Sequence, residues 1–204
     1  AVGPAAHWIV DALVDGASVW RLGRIKVDDV TGAWLGDLRV GAIAIADDDG
    51  VWFDARDVTL AWSPQDVLFG AVRLHAARAN SIAIARQPTL LAPRPPTGRR
   101  FDVVIEALHV ETLSLAEPVV GVASEFSAAL SLDLRDENLR ALDLTLRRLD
   151  SDDDRLIADY RGGETYALNL DLHSAPGGVI ARAAGVSARG LRATAQGMGG
   201  AARG

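Results

Sequence analysis

The chain is 204 residues long, which suits one large domain or two small ones, and it is 49% hydrophobic and 24% charged, so it is globular rather than disordered. Its net charge of −6, with scattered arginines, is not typical of a nucleic-acid binder, whose affinity needs concentrated positive charge. The lack of cysteine excludes disulfides and cysteine-based zinc sites. No stretch reaches the ~18 apolar residues that span a bilayer, and no signal peptide is visible. The character of both ends predicts a segment of a longer protein.

The first element that the sequence predicts is a short helix over residues 4–15. Trp8, Ile9 and Leu13 recur there at helical spacing, and Gly16 is a natural end for the helix. Residues 1–16 are therefore predicted to be a short helical start.

After residue 16 the spacing of the apolar residues changes to the alternation of β-strands, which continues over residues 17–86. Gly41-Ala42 shifts the alternation by one residue and predicts a β-bulge. Residues 47–50, three aspartates and a glycine, predict a tight hairpin. Pro64 is favourable at the first position of a helix, so a single helical turn is predicted over residues 64–69.

Residues 87–99 contain four prolines and predict a loop. They do not predict a domain boundary, because the strand pattern continues over residues 100–204. One long strand is predicted where apolar residues keep a single phase: Val120, Val122, Phe126, Leu130, Leu132 and Leu134. A further short helix is predicted over residues 176–184. The chain is thus expected to be a single β-rich segment over residues 1–204.

The predicted strands, roughly ten or more with short turns between them, make the chain mainly β, as a long antiparallel meander. Each strand is apolar on one face and polar on the other. Such an apolar face is either covered by a second sheet, as in a β-sandwich, or enclosed where one sheet curls into a groove. Alternation alone leaves both arrangements open.

Residues that could carry chemistry do not form known motifs. The spacing of the four histidines supports no zinc site: His7, His75, His109 and His173. Residues 47–50 and 150–154 are acidic but lack the ligand order of a calcium loop, so they are interpreted as turns. Ser63 has no histidine nearby in the sequence, and no phosphate-binding loop occurs. The sequence therefore predicts a protein that is not an enzyme and has no metal and no cofactor.

Short motifs in residues 23–88 follow one another in a distinctive order. They are Thr31-Gly32, Leu35-Gly36, Asp47 to Trp52, Trp62-Ser63-Pro64, and finally Ile82, Ile84, Arg86 and Pro88. In this order they resemble a module near the amino end of the TamB/AsmA-like family of bacterial envelope proteins (translocation and assembly module subunit TamB). The specific match covers about a third of the chain, and the remainder is similar in its long alternating strands.

The resemblance implies a β-rich body in the periplasm, anchored to the inner membrane by an amino-terminal helix. It also implies a long groove, folded like a taco (a β-taco), that links the inner and outer membranes and carries phospholipid. The anchor and the carboxyl-terminal domain that would meet a TamA-like outer-membrane partner are expected to lie outside this chain.

A groove of this kind suits acyl chains, because burial of apolar surface is non-directional and worth roughly 25 cal/mol per Å². We therefore expect non-catalytic, bridge-like lipid transfer. The residues expected to line the groove are Val27, Val40, Ile45, Leu60, Ile84, Val103, Ile105, Leu113, Val122, Phe126, Leu130, Leu132, Leu142, Leu144, Leu168 and Leu170.

Two other functions fit the same pattern. An exposed strand edge could pair with incoming strands, as in a scaffold or chaperone for outer-membrane β-barrel assembly or autotransporter secretion, and it also predicts self-association. A packed β-sandwich could instead be a carbohydrate-binding module if tryptophans were exposed on it. All five tryptophans lie in the first third of the chain: Trp8, Trp20, Trp34, Trp52 and Trp62.

Overall fold

A computed structural model describes residues 22–33, 36–89, 102–135, 138–151, 154–163, 165–183 and 188–200. The predicted helix over residues 4–15 lies outside these residues, as do Trp8, Trp20, Trp34 and most of the predicted loop over residues 87–99.

The described strands form one ten-stranded sheet in which every strand lies beside its neighbour in the chain. They are β1 Arg24–Gly32, β2 Asp37–Asp47, β3 Gly50–Trp62, β4 Ala71–Ile84, β5 Asp102–Leu115, β6 Ser124–Arg135, β7 Asn138–Arg148, β8 Asp154–Arg161, β9 Thr165–Ser174 and β10 Leu191–Gly200. The sheet is curled and open rather than closed into a barrel. The predicted mainly β class and curled sheet are confirmed.

The sheet is mixed, because β4 and β5 pair in parallel while the other described neighbouring strands pair antiparallel. A chain that returns to run parallel needs a crossover of about a dozen residues or more. Residues 85–101 provide that length and include the proline-rich stretch. The predicted antiparallel meander is therefore correct for β1 to β4 and for β5 to β10. It is wrong at the parallel pair between them.

Three short helices lie among the described elements: α1 Pro64–Leu68, α2 Glu117–Val120 and α3 Val179–Ala183. The first and third fall within the predicted residues 64–69 and 176–184. The second replaces part of a predicted strand, so the prediction that Val120 and Val122 continue the strand of Phe126 is wrong. The physical reason is local, because a proline lies in the first turn of α2 and Gly121 ends it at φ 83°, and β6 starts only afterwards.

A line of kinks crosses the first five strands. The pairing of β1 with β2 passes from Asp28–Ala42 to Val30–Val40 and leaves out Asp29, which has φ 57°. Its neighbour across the ladder is glycine, Gly41, where a Cβ would lie 2.8 Å from the Cβ of Asp29. The sequence predicted an irregularity at this glycine. The register of β1 against β2 is the same on both sides of it, so it is a kink rather than an inserted residue.

The kinks keep the apolar side chains on one side of the sheet. Val27 and Val30 are three residues apart, yet Val27 packs against the same buried cluster that contains Val30. On β3, Ala55 and Val58 both belong to that cluster, and Asp57 between them has φ 51°. A residue with left-handed backbone angles therefore returns the next apolar side chain to the same face of the sheet. The sequence alone shows only that the alternation of apolar and polar residues shifts by one position.

The buried core sits in the first half of the sheet. Its members are Val30, Leu38, Val40, Ala55, Val58, Ala79 and Val110. Among the described elements, the substantial contacts apart from those between adjacent strands involve only the three helices. No second sheet is present in the part of the chain that the structure describes, so the curl of a single sheet encloses this core.

Candidate functional site

Two rows of aliphatic side chains cross the sheet side by side, and together they define what we call the apolar face. The first row takes one residue from each of the ten strands: Val30, Val40, Val58, Ala79, Val110, Ala128, Leu146, Leu156, Leu172 and Ala193. The second runs from β2 to β10: Leu38, Leu60, Ala77, Leu108, Leu130, Leu144, Ala158, Leu170 and Ala195. Neighbouring strands lie about 4.8 Å apart, so the rows extend roughly 40 Å.

The apolar face is closed at one end and open at the other. In the first five strands most of its side chains are buried, as at Ala79 and Val110, which are 2% and 3% exposed, while Leu60 and Leu108 are half-buried. From β7 onward the residues of both rows are half-buried or exposed, and Leu168 beside them is 39% exposed. No described element covers this half. The sheet therefore presents a contiguous aliphatic surface, of the kind that marks a binding site in soluble proteins.

The structure places all but one of the predicted groove residues on strands. Five belong to the two rows: Val40, Leu60, Leu130, Leu144 and Leu170. Others flank the rows on the same face, with a spacing that shifts by one residue where a strand kinks: Val27, Ile45, Ile84, Val103, Ile105, Leu113, Phe126, Leu132, Leu142 and Leu168. Val122 is the exception, because it lies in the connection between α2 and β6, outside the sheet.

The opposite side of the sheet, which we call the polar face, carries acids and bases, and several of them pair with one another. Asp143 on β7 accepts a hydrogen bond from the hydroxyl of Ser131 at 2.6 Å and from the guanidinium of Arg161 at 2.7 Å. The Ser131 hydroxyl, followed by the Arg161 guanidinium, lowers the pKa of Asp143. A depression of about 720 Å³ also lies across the middle strands, and its lining combines Thr59 and Arg78 with Leu60, Leu108 and Leu130 of the second row. Contacts on this face are directional and charged, unlike those of the apolar face.

Asp47, at the end of β2, fastens the end of β4 to the β2–β3 hairpin. Arg86 donates to both carboxylate oxygens of Asp47, and to the carbonyl of Gly50 at 2.8 Å. Thr89 N–H donates to the same carboxylate at 2.7 Å. The Arg86 guanidinium holds the pKa of Asp47 well below its usual range, and the bonds from Thr89 and Asp49 N–H add to this effect. Arg86 of the closing motif therefore has a structural role here.

Ser63, His75 and Glu106 form a constellation that the sequence analysis did not find. Ser63 Oγ lies 2.6 Å from His75 Nε2, and His75 Nδ1 lies 3.2 Å from a carboxylate oxygen of Glu106. Serine, histidine and carboxylate in this order can act as nucleophile, base and orienting acid. Arg73 shares the carboxylate of Glu106 at 3.5 Å and also contacts Asp66 of α1 at 3.4 Å.

The surroundings of this constellation favour a structural role. The side chains of His75 and Glu106 are each 44% exposed, so water competes for every bond. Both residues lie where the strand register shifts, at the end of the β3–β4 ladder and next to Leu108 on β5. One sequence feature could have predicted that His75 lies near Ser63. The helix α1 is very short, so the chain reverses within a few residues and β4 runs back beside Ser63. We interpret the network as an attachment of α1 to the sheet.

The two described tryptophans do not form an exposed platform for a sugar. Trp52 is 8% exposed, and its ring N–H donates to the carbonyl of Leu22 at 2.7 Å. Trp62 packs against the buried cluster. Within the described residues, then, tryptophan anchors the amino-terminal part of the sheet.

No family model, no curated protein and no solved structure matches the chain. None of the described helices is both long and apolar enough to cross a membrane. Within the described ranges, histidines and acids do not gather into a group of three that could hold a metal ion.

Proposed function

We propose that the apolar face binds acyl chains and that the chain is a segment of a non-catalytic lipid conduit, as its resemblance to TamB/AsmA-like proteins implies. One observation carries the proposal: two unbroken aliphatic rows cross the sheet, and no described element covers them beyond the first five strands. An uncovered surface of this kind favours an apolar occupant.

The chemistry of the rows favours acyl chains over aromatic or polar ligands. Their members are valine, leucine and alanine, which offer no hydrogen-bond donor or acceptor and do not fix the orientation of a ligand. An acyl chain of about sixteen carbons, at about 0.8 kcal/mol per buried CH₂, would gain on the order of 10 kcal/mol before the cost of ordering it. Phospholipids could therefore bind without a specific headgroup contact and move along the face.

The cellular setting is part of the same proposal. The chain would lie in the periplasm of a bacterial envelope, in a protein anchored to the inner membrane, with a TamA-like barrel as its outer-membrane partner.

Native mass spectrometry, with extraction of lipid from the same purified sample, tests the proposal. We expect phospholipid to copurify with the wild-type chain. Leu144→Asp and Leu170→Asp place a charge in the open half of the apolar face, so each should lose most of the bound lipid. Thr145→Asp is the matched control, because Thr145 is exposed on the polar face beside Leu144. Unchanged lipid occupancy in folded Leu144→Asp and Leu170→Asp variants would contradict the proposal.

The sheet edges support a second candidate function. β1 and β10 are the outer strands of the described sheet, and each pairs with a described strand on one side only. An incoming strand could pair with such an edge, as in a scaffold for β-barrel assembly, or a second copy of the chain could do so. Photo-crosslinkers on β10 should then capture unfolded barrel peptides, whereas crosslinkers on the apolar face that capture only lipid would favour the conduit.

A further inference from the structure

Four basic side chains stand in one row on the polar face of the last four strands. Arg147 on β7 pairs directly with Arg155 on β8, which pairs with His173 on β9, which in turn pairs with Arg192 on β10. At about 4.8 Å between neighbouring strands, the row spans about 14 Å. We call it the basic row.

Such a row works against the stability of the sheet. Like charges directly opposite each other on neighbouring strands are destabilising. One acid compensates in part, since Asp171 contacts Arg155 at 3.1 Å. Neither Arg147 nor Arg192 forms an ion pair with any residue in the described part of the chain; Arg192 donates instead to the ring of His173 at 3.4 Å. This concentration of positive charge occurs in a chain whose net charge is −6.

The same residues line a hollow of about 510 Å³: Arg147, Asp154, Arg155, Asp171, His173, Arg192 and Thr194. The Nε–H of Arg155 is buried there and has no hydrogen-bond partner. Asp154 does not neutralise the row, because its carboxylate already accepts hydrogen bonds from Arg148 and Ser174 and from the first N–H groups of α3. The hollow therefore holds three guanidinium groups against the one available carboxylate of Asp171.

We propose that the basic row binds a phosphate group. A phosphate monoester carries a charge of about −1.5 to −2 and three strong acceptor oxygens, which match several guanidinium groups better than a single carboxylate does. Arginine forms paired hydrogen bonds with phosphate in a fixed geometry. The ligand is either a lipid headgroup or a small phosphorylated molecule. Because this site lies on the face opposite the acyl-binding rows, it is independent of the proposed lipid conduit.

Isothermal titration calorimetry at constant ionic strength tests the site in two arms. One arm uses inorganic phosphate and glycerol 3-phosphate, with chloride as the reference anion. The other uses phosphatidylcholine vesicles with and without phosphatidic acid. Binding in the first arm assigns a soluble phosphate compound, whereas binding only to vesicles with phosphatidic acid assigns a lipid headgroup. Absence of binding in both arms would overturn the proposal.

Arg147→Gln and Arg192→Gln should each weaken binding by about tenfold, because each removes charge-assisted hydrogen bonds. Arg39→Gln is the control, since Arg39 is exposed on the polar face of β2, far from the row. Equal affinity in wild type, Arg147→Gln and Arg192→Gln would show that any phosphate bound elsewhere and would overturn the assignment.

Melting temperatures distinguish a phosphate-binding role of these arginines from a purely structural one. Without phosphate, Arg147→Gln should melt at a higher temperature than wild type, because Arg147 lies directly opposite Arg155 and the substitution relieves the repulsion between them. Phosphate should raise the melting temperature of wild type, and the same concentration should raise that of Arg147→Gln by less, because the variant binds it more weakly. A variant that melts lower than wild type, and still responds fully to phosphate, would overturn the proposal.

Discussion

At the scale of single residues, Asp47 is the clearest case of a side chain whose ionisation stabilises the fold. Its carboxylate is enclosed by Arg86 and by two backbone N–H groups, and its pKa lies below the ordinary value. A carboxyl group whose pKa is lower in the folded state stabilises the fold above its unfolded pKa, about 4, and this contribution disappears as the pH falls further.

Asp47→Asn should therefore reduce stability at pH 7, because it leaves the Arg86 guanidinium without its anion. It should have a somewhat smaller effect at pH 3, because the unfolded chain already binds a proton there while the folded carboxylate is still ionised, so part of the stabilisation is lost. Urea midpoints at the two pH values measure this difference. Asp48→Asn, in the exposed turn next to Asp47, is the control and should change neither midpoint. Equal losses at pH 7 and pH 3 for Asp47→Asn would contradict the argument.

The constellation of Ser63, His75 and Glu106 leads to a prediction about chemistry. Because Arg73 shares the carboxylate of Glu106 and water reaches His75, the serine should not be activated as it is in a hydrolase. We expect a fluorophosphonate probe to leave Ser63 unlabelled, as judged by intact-mass spectrometry. Labelling that disappears in both Ser63→Ala and His75→Ala variants would show a nucleophile here and would make the non-enzymatic interpretation wrong.

Alternation predicts which face a residue occupies only where the strand is regular. It placed Leu130, Leu132 and Leu144 on one face, because β6 and β7 keep one phase there. Alternation could not predict that His75 lies beside Glu106. Both residues lie where the register between strands shifts, and the spacing of apolar residues along one strand does not reveal such a shift. The basic row was missed for a similar reason, since its members become neighbours only once the register of four strands is known.

At the scale of elements, Asp154 fixes α3 to the end of the sheet. Its Oδ2 accepts hydrogen bonds from Val179 N–H and from Arg148 at 3.1 Å, and its Oδ1 accepts them from Ile180 N–H and from the hydroxyl of Ser174. Although burial alone would raise the pKa of Asp154, the bonds from Ser174, from the helix N–H groups and from Arg148 outweigh it and lower the pKa.

Asp154→Asn should destabilise the protein by about 2 kcal/mol, because Ser174 and the first N–H groups of α3 lose a buried, charged acceptor, whereas Arg148 keeps its pair with Asp150. Equilibrium denaturation with urea measures the loss. Asp133→Asn is the matched control, since Asp133 pairs with Arg135, which is exposed, and an ion pair of that kind contributes at most about 1 kcal/mol. Equal effects of the two substitutions would show that burial does not decide the cost.

The kinks of the first strands lead to a second prediction at this scale. Gly41→Ala would put a methyl group 2.8 Å from the Cβ of Asp29, so the two strands would have to separate. We expect a loss of about 1–3 kcal/mol in the free energy of unfolding. Gly36→Ala is the control, because a Cβ there meets nothing within 4 Å. A neutral Gly41→Ala variant would show that the kink is not required for the fold.

Elements were predictable where their signals are local. Pro64 marks the start of α1, and the aspartates before Gly50 mark the β2–β3 hairpin. The parallel pairing of β4 with β5 was not predictable, because a long connection allows a crossover and an antiparallel return alike. α2 was missed because Val120 and Val122 keep the phase of the following strand, although Pro118 favours a helical start.

At the scale of the whole molecule, the sheet has two unequal halves. The first five strands enclose a buried cluster, while the apolar rows of the last strands are half-buried. Alternation could not distinguish a curled sheet from a sandwich, because both need the same apolar face. What distinguishes them is the absence of a second sheet among the described strands, and this becomes evident only from the pairing of every strand with its neighbour.

This inequality predicts where a lipid should change the dynamics of the protein. Amide hydrogens of β2 to β4 should exchange slowly with or without lipid, because the cluster around Val40 and Val58 is already closed. Amides of β7 to β9 should exchange faster in lipid-free protein and slow down when phospholipid is added, since an acyl chain beside Leu144 and Leu170 would exclude water from these strands. Hydrogen exchange read by mass spectrometry measures both regions in one experiment.

Leu144→Asp should remove the lipid-dependent protection of β7 to β9 and leave β2 to β4 unchanged, because it acts on the open half alone. Protection that rose equally in all strands would indicate general stabilisation or self-association, and would contradict a binding site on the open half of the apolar face.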